Sequence, residues 1–158
     1  MMNRVFIFIT CLLLLHTTTM AQGFISMKRP NIKKQLIEFY EKHKVATRFE
    51  ETDSTLICYV IDSAGADARK FTYSFKKNNR CYKETAEGNC EPCFTKLFDD
   101  ATLAKRYKWK KLSDNLYLSK PLWNLTLIRA DEEQSVSYTI VKDYFSRTAH
   151  TKLYQSKL

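Results

Sequence analysis

The spacing of apolar and polar residues changes period along the chain. From Ile32 the apolar positions are Ile32, Leu36, Phe39, Tyr40 and His43, the spacing of one helix face. Pro30 suits the first turn, where a missing N–H costs nothing, and Lys33, Lys34, Glu38, Glu41 and Lys42 fill the opposite face. An amphipathic helix ending near Val45 is predicted. The period then falls to two. Thr55 to Asp62 reads as a strand, Ser63 to Ala68 as a turn, and Arg69 to Lys76 as a strand with Phe71, Tyr73 and Phe75 on one face. Asn78-Asn79 marks a tight turn, since Asn tolerates positive φ, and Arg80 to Glu84 a short third strand.

Glu91-Pro92 opens a second helix, with a stripe of Phe94, Leu97, Phe98, Ala101 and Ala104 running on toward Tyr107. Strand-like stretches follow: one through Leu112, one from Leu116 to Ser119, and one from Leu122 to Ala130 with Trp123, Leu125 and Leu127 on one face. After a turn at Asp131 to Gln134, Ser135 to Phe145 aligns Val136, Tyr138 and Ile140.

These elements predict an α+β domain in the order α-βββ-α-ββββ. An antiparallel sheet of about six to eight short strands would be covered on one face by two amphipathic helices. The outline resembles cystatin-like rolls and tandem αβββ units, a likeness of fold that carries no function. Lys70 to Phe75 and Ser135 to Ile140 share an aromatic-Thr/Ser alternation. An internal duplication fits this, and so do two unrelated amphipathic strands.

Residues 1–21 read as a secretory leader. Arg4 is the basic start, Val5 to Leu15 the apolar run, and Thr19-Met20-Ala21 the cleavage site. The run is shorter than the ~20 residues that span a bilayer. The leader resembles Sec-type signals of Gram-negative bacteria, which implies a secreted or periplasmic protein cut near Ala21. No transmembrane segment is expected after cleavage. A loose terminus at 22–29, one domain over 30–145 and a C-terminal tail at 146–158 complete the predicted organisation.

The chain of 158 residues is 44% hydrophobic and 13% aromatic, with three Gly and three Pro, which excludes collagen-like and low-complexity classes. Its charge of +9 falls only to about +8 without the leader, so the basic character belongs to the exported part.

Four cysteines follow the leader: Cys58, Cys81, Cys90 and Cys93. An even count in an exported chain favours disulfides. If Cys58 and Cys81 both sit opposite about Ser74, they lie roughly 9–10 Å apart, too far to bridge. A link from Cys81 to Cys90 or Cys93 is then expected. Cys90-Glu91-Pro92-Cys93 at a helix start also fits thiol–disulfide exchange, because the helix dipole favours a thiolate. The proline between the thiols resembles the thioredoxin motif, but no long apolar strand leads into it. A zinc site would need Cys81, Cys90 and Cys93 with Cys58 or His43, and its spacing is not that of two CxxC knuckles. Neither a metal nor a cofactor is expected.

Arg106-Tyr107-Lys108-Trp109-Lys110-Lys111 is the most suggestive surface motif. If extended, it aligns Arg106, Lys108 and Lys110 into a basic ridge suited to an anionic surface or polymer. Nucleic acid is not an expected partner for an exported protein. Asn124-Leu125-Thr126 is a glycosylation sequon, and Asn124 would have to point outward to be modified. Catalytic patterns such as GxSxG, HExxH or a P-loop do not occur. A Cys58–His43 hydrolase would need Cys58 exposed, yet Cys58 shares strand parity with Leu56 and Val60. His150 falls in the tail. The expectation is a non-enzymatic exported domain that binds a macromolecule or an apolar ligand, with a thiol-redox protein using Cys90 and Cys93 as the alternative.

Overall fold

The computed structural model describes residues 23–88, 91–104, 107–132 and 135–156. The element order is α1 (Arg29–Lys42), β1 (Thr47–Glu51), β2 (Thr55–Ile61), β3 (Asp67–Phe75), β4 (Cys81–Gly88), α2 (Glu91–Thr102), β5 (Lys110–Ser113), β6 (Leu116–Leu118), β7 (Leu125–Glu132), β8 (Ser135–Lys142) and α3 (Arg147–Gln155). The α+β class stands. The order gains one strand, β1, and one helix, α3.

All eight strands form one antiparallel sheet, in the order β1-β2-β3-β4-β8-β7-β6-β5. Among the described residues, each half therefore supplies a helix followed by four strands, and the halves meet where β4 pairs with β8. Thr85 faces Thr139 at that seam, their hydroxyls 3.0 Å apart. The topology makes β3 the counterpart of β7 and β4 that of β8. The alternation shared by Lys70–Phe75 and Ser135–Ile140 compares β3 with β8, which are not equivalent.

Parity along the strands selects one apolar face. Leu56, Cys58 and Val60 of β2 pair in register with Tyr73, Phe71 and Arg69 of β3. The same face continues through Glu84 and Ala86 to Ile140 and Tyr138, then to Leu127. On α1 the buried positions are Ile32, Leu36 and Tyr40, spaced every four residues. On α2 they are Phe94, Leu97, Phe98 and Ala101. Both helices join the strand residues in a single core. The expected continuation of α2 toward Tyr107 does not occur. The helix stops at Thr102, and the Trp109 indole N–H donates to the Ala101 carbonyl at 2.9 Å, serving one of the carbonyls that a helix end leaves open.

Two segments expected to be loose are tied down. In the N-terminal one, Phe24 is buried with its ring edge-on to Tyr73, and Ser26 N–H donates to Cys81 O at 2.7 Å. In the C-terminal one, Ser146 caps α3 by accepting from Ala149 N–H, and His150 is wholly buried with Nε2 3.2 Å from Leu125 O. Leu118 and Thr126, paired across β6 and β7, point away from the α1/α2 layer and are also fully buried. The third helix therefore lies over the second face of the sheet at its β5–β7 end.

Candidate functional site

The register sorts the loops into two ends of the sheet. One end carries the α1 start, residues 76–80 between β3 and β4, residues 119–124 between β6 and β7, and residues 143–146 after β8. It holds Arg29, Lys76, Lys77, Arg80, Lys120 and Arg147, against Asp53 and Asp143. The opposite end carries Asp62, Asp67, Asp114 and Asp131 at or beside its turns, offset by Lys44, Arg48, Arg69, Lys111 and Arg129, so its charge is near balance. The basic charge is thus polarised along the strands, a separation that a linear sequence only hints at.

The basic end also displays large apolar side chains. Leu122 is 71% exposed, Trp123 42% and Tyr144 56%. They stand on two loops that are locked together. Asn124 and Asp143 both take left-handed backbone, φ +48° and +59°. Asn124 Nδ2 donates to Asp143 Oδ1 at 2.9 Å and to Phe145 O at 3.4 Å, while Asp143 N–H donates to Asn124 O at 3.0 Å. Lys76 adds an ion pair to Asp143 at 3.4 Å. Within the first loop, Ser119 Oγ accepts from Leu125 N–H at 2.9 Å, and Trp123 N–H donates to Lys120 O at 3.0 Å. Trp123 meets Tyr107 edge-on at 6.4 Å, and the Lys120 ammonium lies 5.8 Å from its ring centre.

Three depressions open on this end. A groove of about 450 Å³ runs between Leu122, Trp123, Phe145 and Arg147. One of about 220 Å³ lies between Trp123, Tyr107, Ile25 and Lys142, whose ammonium donates to Ser26 Oγ at 3.1 Å. The third, about 530 Å³, is lined by Arg29, Phe75, Lys76 and Lys77 among others. The Arg29 guanidinium sits 4.6 Å from the Phe75 ring centre and donates to Thr52 O and Asp53 O.

The sequence motifs fare differently. Lys108 and Lys110 do not line up as an extended basic ridge. Lys108 adopts φ +48°, which breaks the alternation, and Lys110 Nζ donates to Tyr154 O at 2.9 Å and to Ser156 O, fastening the end of α3. Arg106 lies outside the described residues. Asn124 is buried rather than outward, its amide engaged by the Asp143 loop, so the folded sequon is closed to modification.

The expected link from Cys81 is also overturned. Cys58 and Cys81 are both free, buried thiols. Cys81 opens β4 and α2 begins beyond its far end, so the extended strand holds them roughly 23 Å apart. Cys58 pairs with Phe71 and Cys81 with Phe75, not both near Ser74. The two thiols are then about 16 Å apart, beyond any bridge. Cys90 and the side chain of Cys93 lie outside the described residues. Burial pushes the Cys58 thiol up to about 12, the wrong direction for a nucleophile. His43 packs its ring on Phe39 at 4.6 Å. Among the described residues, no group of three His, Cys, Asp or Glu could hold a metal.

The clamp can be tested directly. Asn124→Gly keeps the left-handed backbone at no steric cost but deletes the amide. It is expected to destabilise the domain by about 1–2 kcal/mol, read as a lower urea midpoint. An unchanged midpoint would show that the two loops are not coupled.

Leu122, Trp123 and Tyr144 were not legible as a site, because Trp123 alternates with Leu125 like a core strand residue. Pro121 and Asn124, both loop formers, are the signals that could have flagged it. Compared with known proteins, the chain matches no family model, no curated protein and no solved structure.

Proposed function

We propose that the chain is an exported, non-enzymatic binding domain that engages an anionic macromolecular surface through the basic end of its sheet. The observation that carries this is the locked pair of loops presenting Leu122, Trp123 and Tyr144 among cations supplied by several other segments. Exposed apolar patches rimmed by polar groups mark interaction surfaces. A partner meeting this end gains charge attraction and apolar burial together, and the clamp spares it the cost of ordering the loops. The leader-like start supports export.

Retention on a heparin column, a soluble polyanion, tests the charge component. Lys120→Glu/Arg147→Glu is expected to elute at clearly lower salt than the parent chain. Lys42→Glu/Lys44→Glu, an equal charge change near the other end of the sheet, should shift elution much less. Equal shifts in the two variants would reduce the effect to net charge and remove the proposal.

A further inference from the structure

The anionic surface can be specified further, on the strength of the reading above. We propose that it is a phospholipid bilayer met end-on, with Leu122, Trp123 and Tyr144 seated at the boundary between headgroups and acyl chains. The surrounding lysines and arginines then lie against the phosphates.

Shape is the first argument. The apolar groups stand on the tips of two loops, and although Leu122 and Trp123 rim a shallow groove, Leu122 is still almost three-quarters exposed. A hydrated polyanion offers Leu122 no apolar phase to enter; a bilayer does. The second argument is side-chain type. Trp and Tyr each join an apolar ring to a polar tip, and they concentrate where hydrocarbon meets water. Here they stand on the same two locked loops as a purely apolar leucine. Charge distribution is the third. Arg29, Lys76 with Lys77, Lys120 and Arg147 come from four separate segments that end at the same side of the sheet, so they spread across that end. A spread of cations matches a plane of phosphates, and each adds to attraction by an anionic leaflet. Of the nearby acids, Asp143 is occupied by Lys76 and Asn124. At the opposite end Asp67, Asp114 and Asp131 are paired with Arg48, Lys111 and Arg129, so that end is closer to neutral and the loop end would lead the approach.

The test uses the protein recovered after export and vesicles of phosphatidylcholine, with or without one-third phosphatidylglycerol. Sedimentation with anionic vesicles is expected to exceed that with neutral ones by about tenfold. In a Trp109→Phe background Trp123 is the only tryptophan. Its emission should move to shorter wavelength on anionic vesicles and be quenched by lipids brominated near the headgroup. Leu122→Ser/Tyr144→Ser should weaken vesicle binding several-fold while the urea midpoint holds, because both groups are more than half exposed; adding Trp123→Ser should bring the loss to about tenfold, with a lower midpoint because that ring packs on Tyr107.

Vesicle binding that survives the triple substitution, or a Trp123 emission that does not change, overturns the proposal. If vesicles are not bound but heparin retention still depends on Lys120 and Arg147, the lipid assignment fails and the broader reading stands, with an acidic protein or soluble polymer as partner. If both fail, both are withdrawn.

Discussion

A chain ending at Phe145 is expected to melt ~10–20 °C below the full-length protein, a loss of about 3–5 kcal/mol. The segment removed would be α3, which the apolar pattern leaves as a tail. Leu118 and Thr126 are fully buried on the sheet face that α3 covers, and truncation returns both to water. It also removes His150, whose ring occupies buried space and reaches the Leu125 carbonyl. Lys110 loses its acceptors at Tyr154 and Ser156, and the Tyr154 hydroxyl no longer donates to Lys108 O. A domain of this size typically has only ~5–15 kcal/mol to lose. Differential scanning calorimetry of the two lengths decides it. A melting temperature within a few degrees of the parent would show that α3 is not part of the folded unit. His150→Ala in the full chain should fall between the two, since it opens a cavity and breaks one contact but leaves the helix in place.

The helix was hard to read for a physical reason. In RTAHTKLYQ the one wholly buried side chain is a histidine, and Leu153 and Tyr154 are its only large apolar groups, so the helix face spans too few turns to show a period. Strand β1 hid differently. TRFEE lies at the sheet edge, and only Phe49 of its alternating positions is a large apolar group, too little for a period to show. Where one face of an element meets the core, the pattern was legible: Ile32, Leu36 and Tyr40 on α1, Phe71, Tyr73 and Phe75 on β3, and Tyr138 and Ile140 on β8 are all inward as their spacing requires. Asn79 takes the positive φ, +60°, that its residue type invited. Lys108 takes a similar angle with no such preference, and that single residue breaks its alignment with Lys110.

Long-range order was the larger gap. Local pattern says which residues face the core, but not that β8 returns to lie against β4. That pairing gathers the loops after β3, β6 and β8 at one end of the sheet. The candidate surface is therefore a product of topology. Its cations are scattered from Arg29 to Arg147 in sequence, while the compact basic motif at 106–111 serves the fold through Tyr107, Trp109 and Lys110.

The protein is expected to unfold cooperatively in alkali, with stability flat to about pH 8 and gone by about pH 11. Among the described residues, four buried thiols and phenols on or beside α1 have raised pKa values: Cys58, Cys81, Tyr40 and Tyr73. Burial pushes the Cys58 thiol from 9.0 up to about 12. Cys81 rises further, through burial and then the nearby Glu84 carboxylate. Tyr40 is raised by burial and by Cys58, and Tyr73 by burial and by Glu84. Each group is neutral when protonated, and its folded pKa lies above its unfolded one. Its contribution is therefore complete below the unfolded value and is lost as pH climbs toward the folded value. Between pH 9 and 10 the two thiols remove about 2 kcal/mol, and from about pH 10 upward the two phenols add a growing share to the slope. Urea unfolding at pH 8, 9.5 and 10.5 should trace this fall. Tyrosinate absorbance should rise for the buried phenols in the same step as the circular dichroism is lost. Cys58→Ala/Tyr73→Phe removes half of the titrating set, and its stability should fall about half as steeply with pH even though its starting value is lower. A midpoint at pH 10.5 equal to that at pH 8 would mean these groups reach solvent in the folded protein.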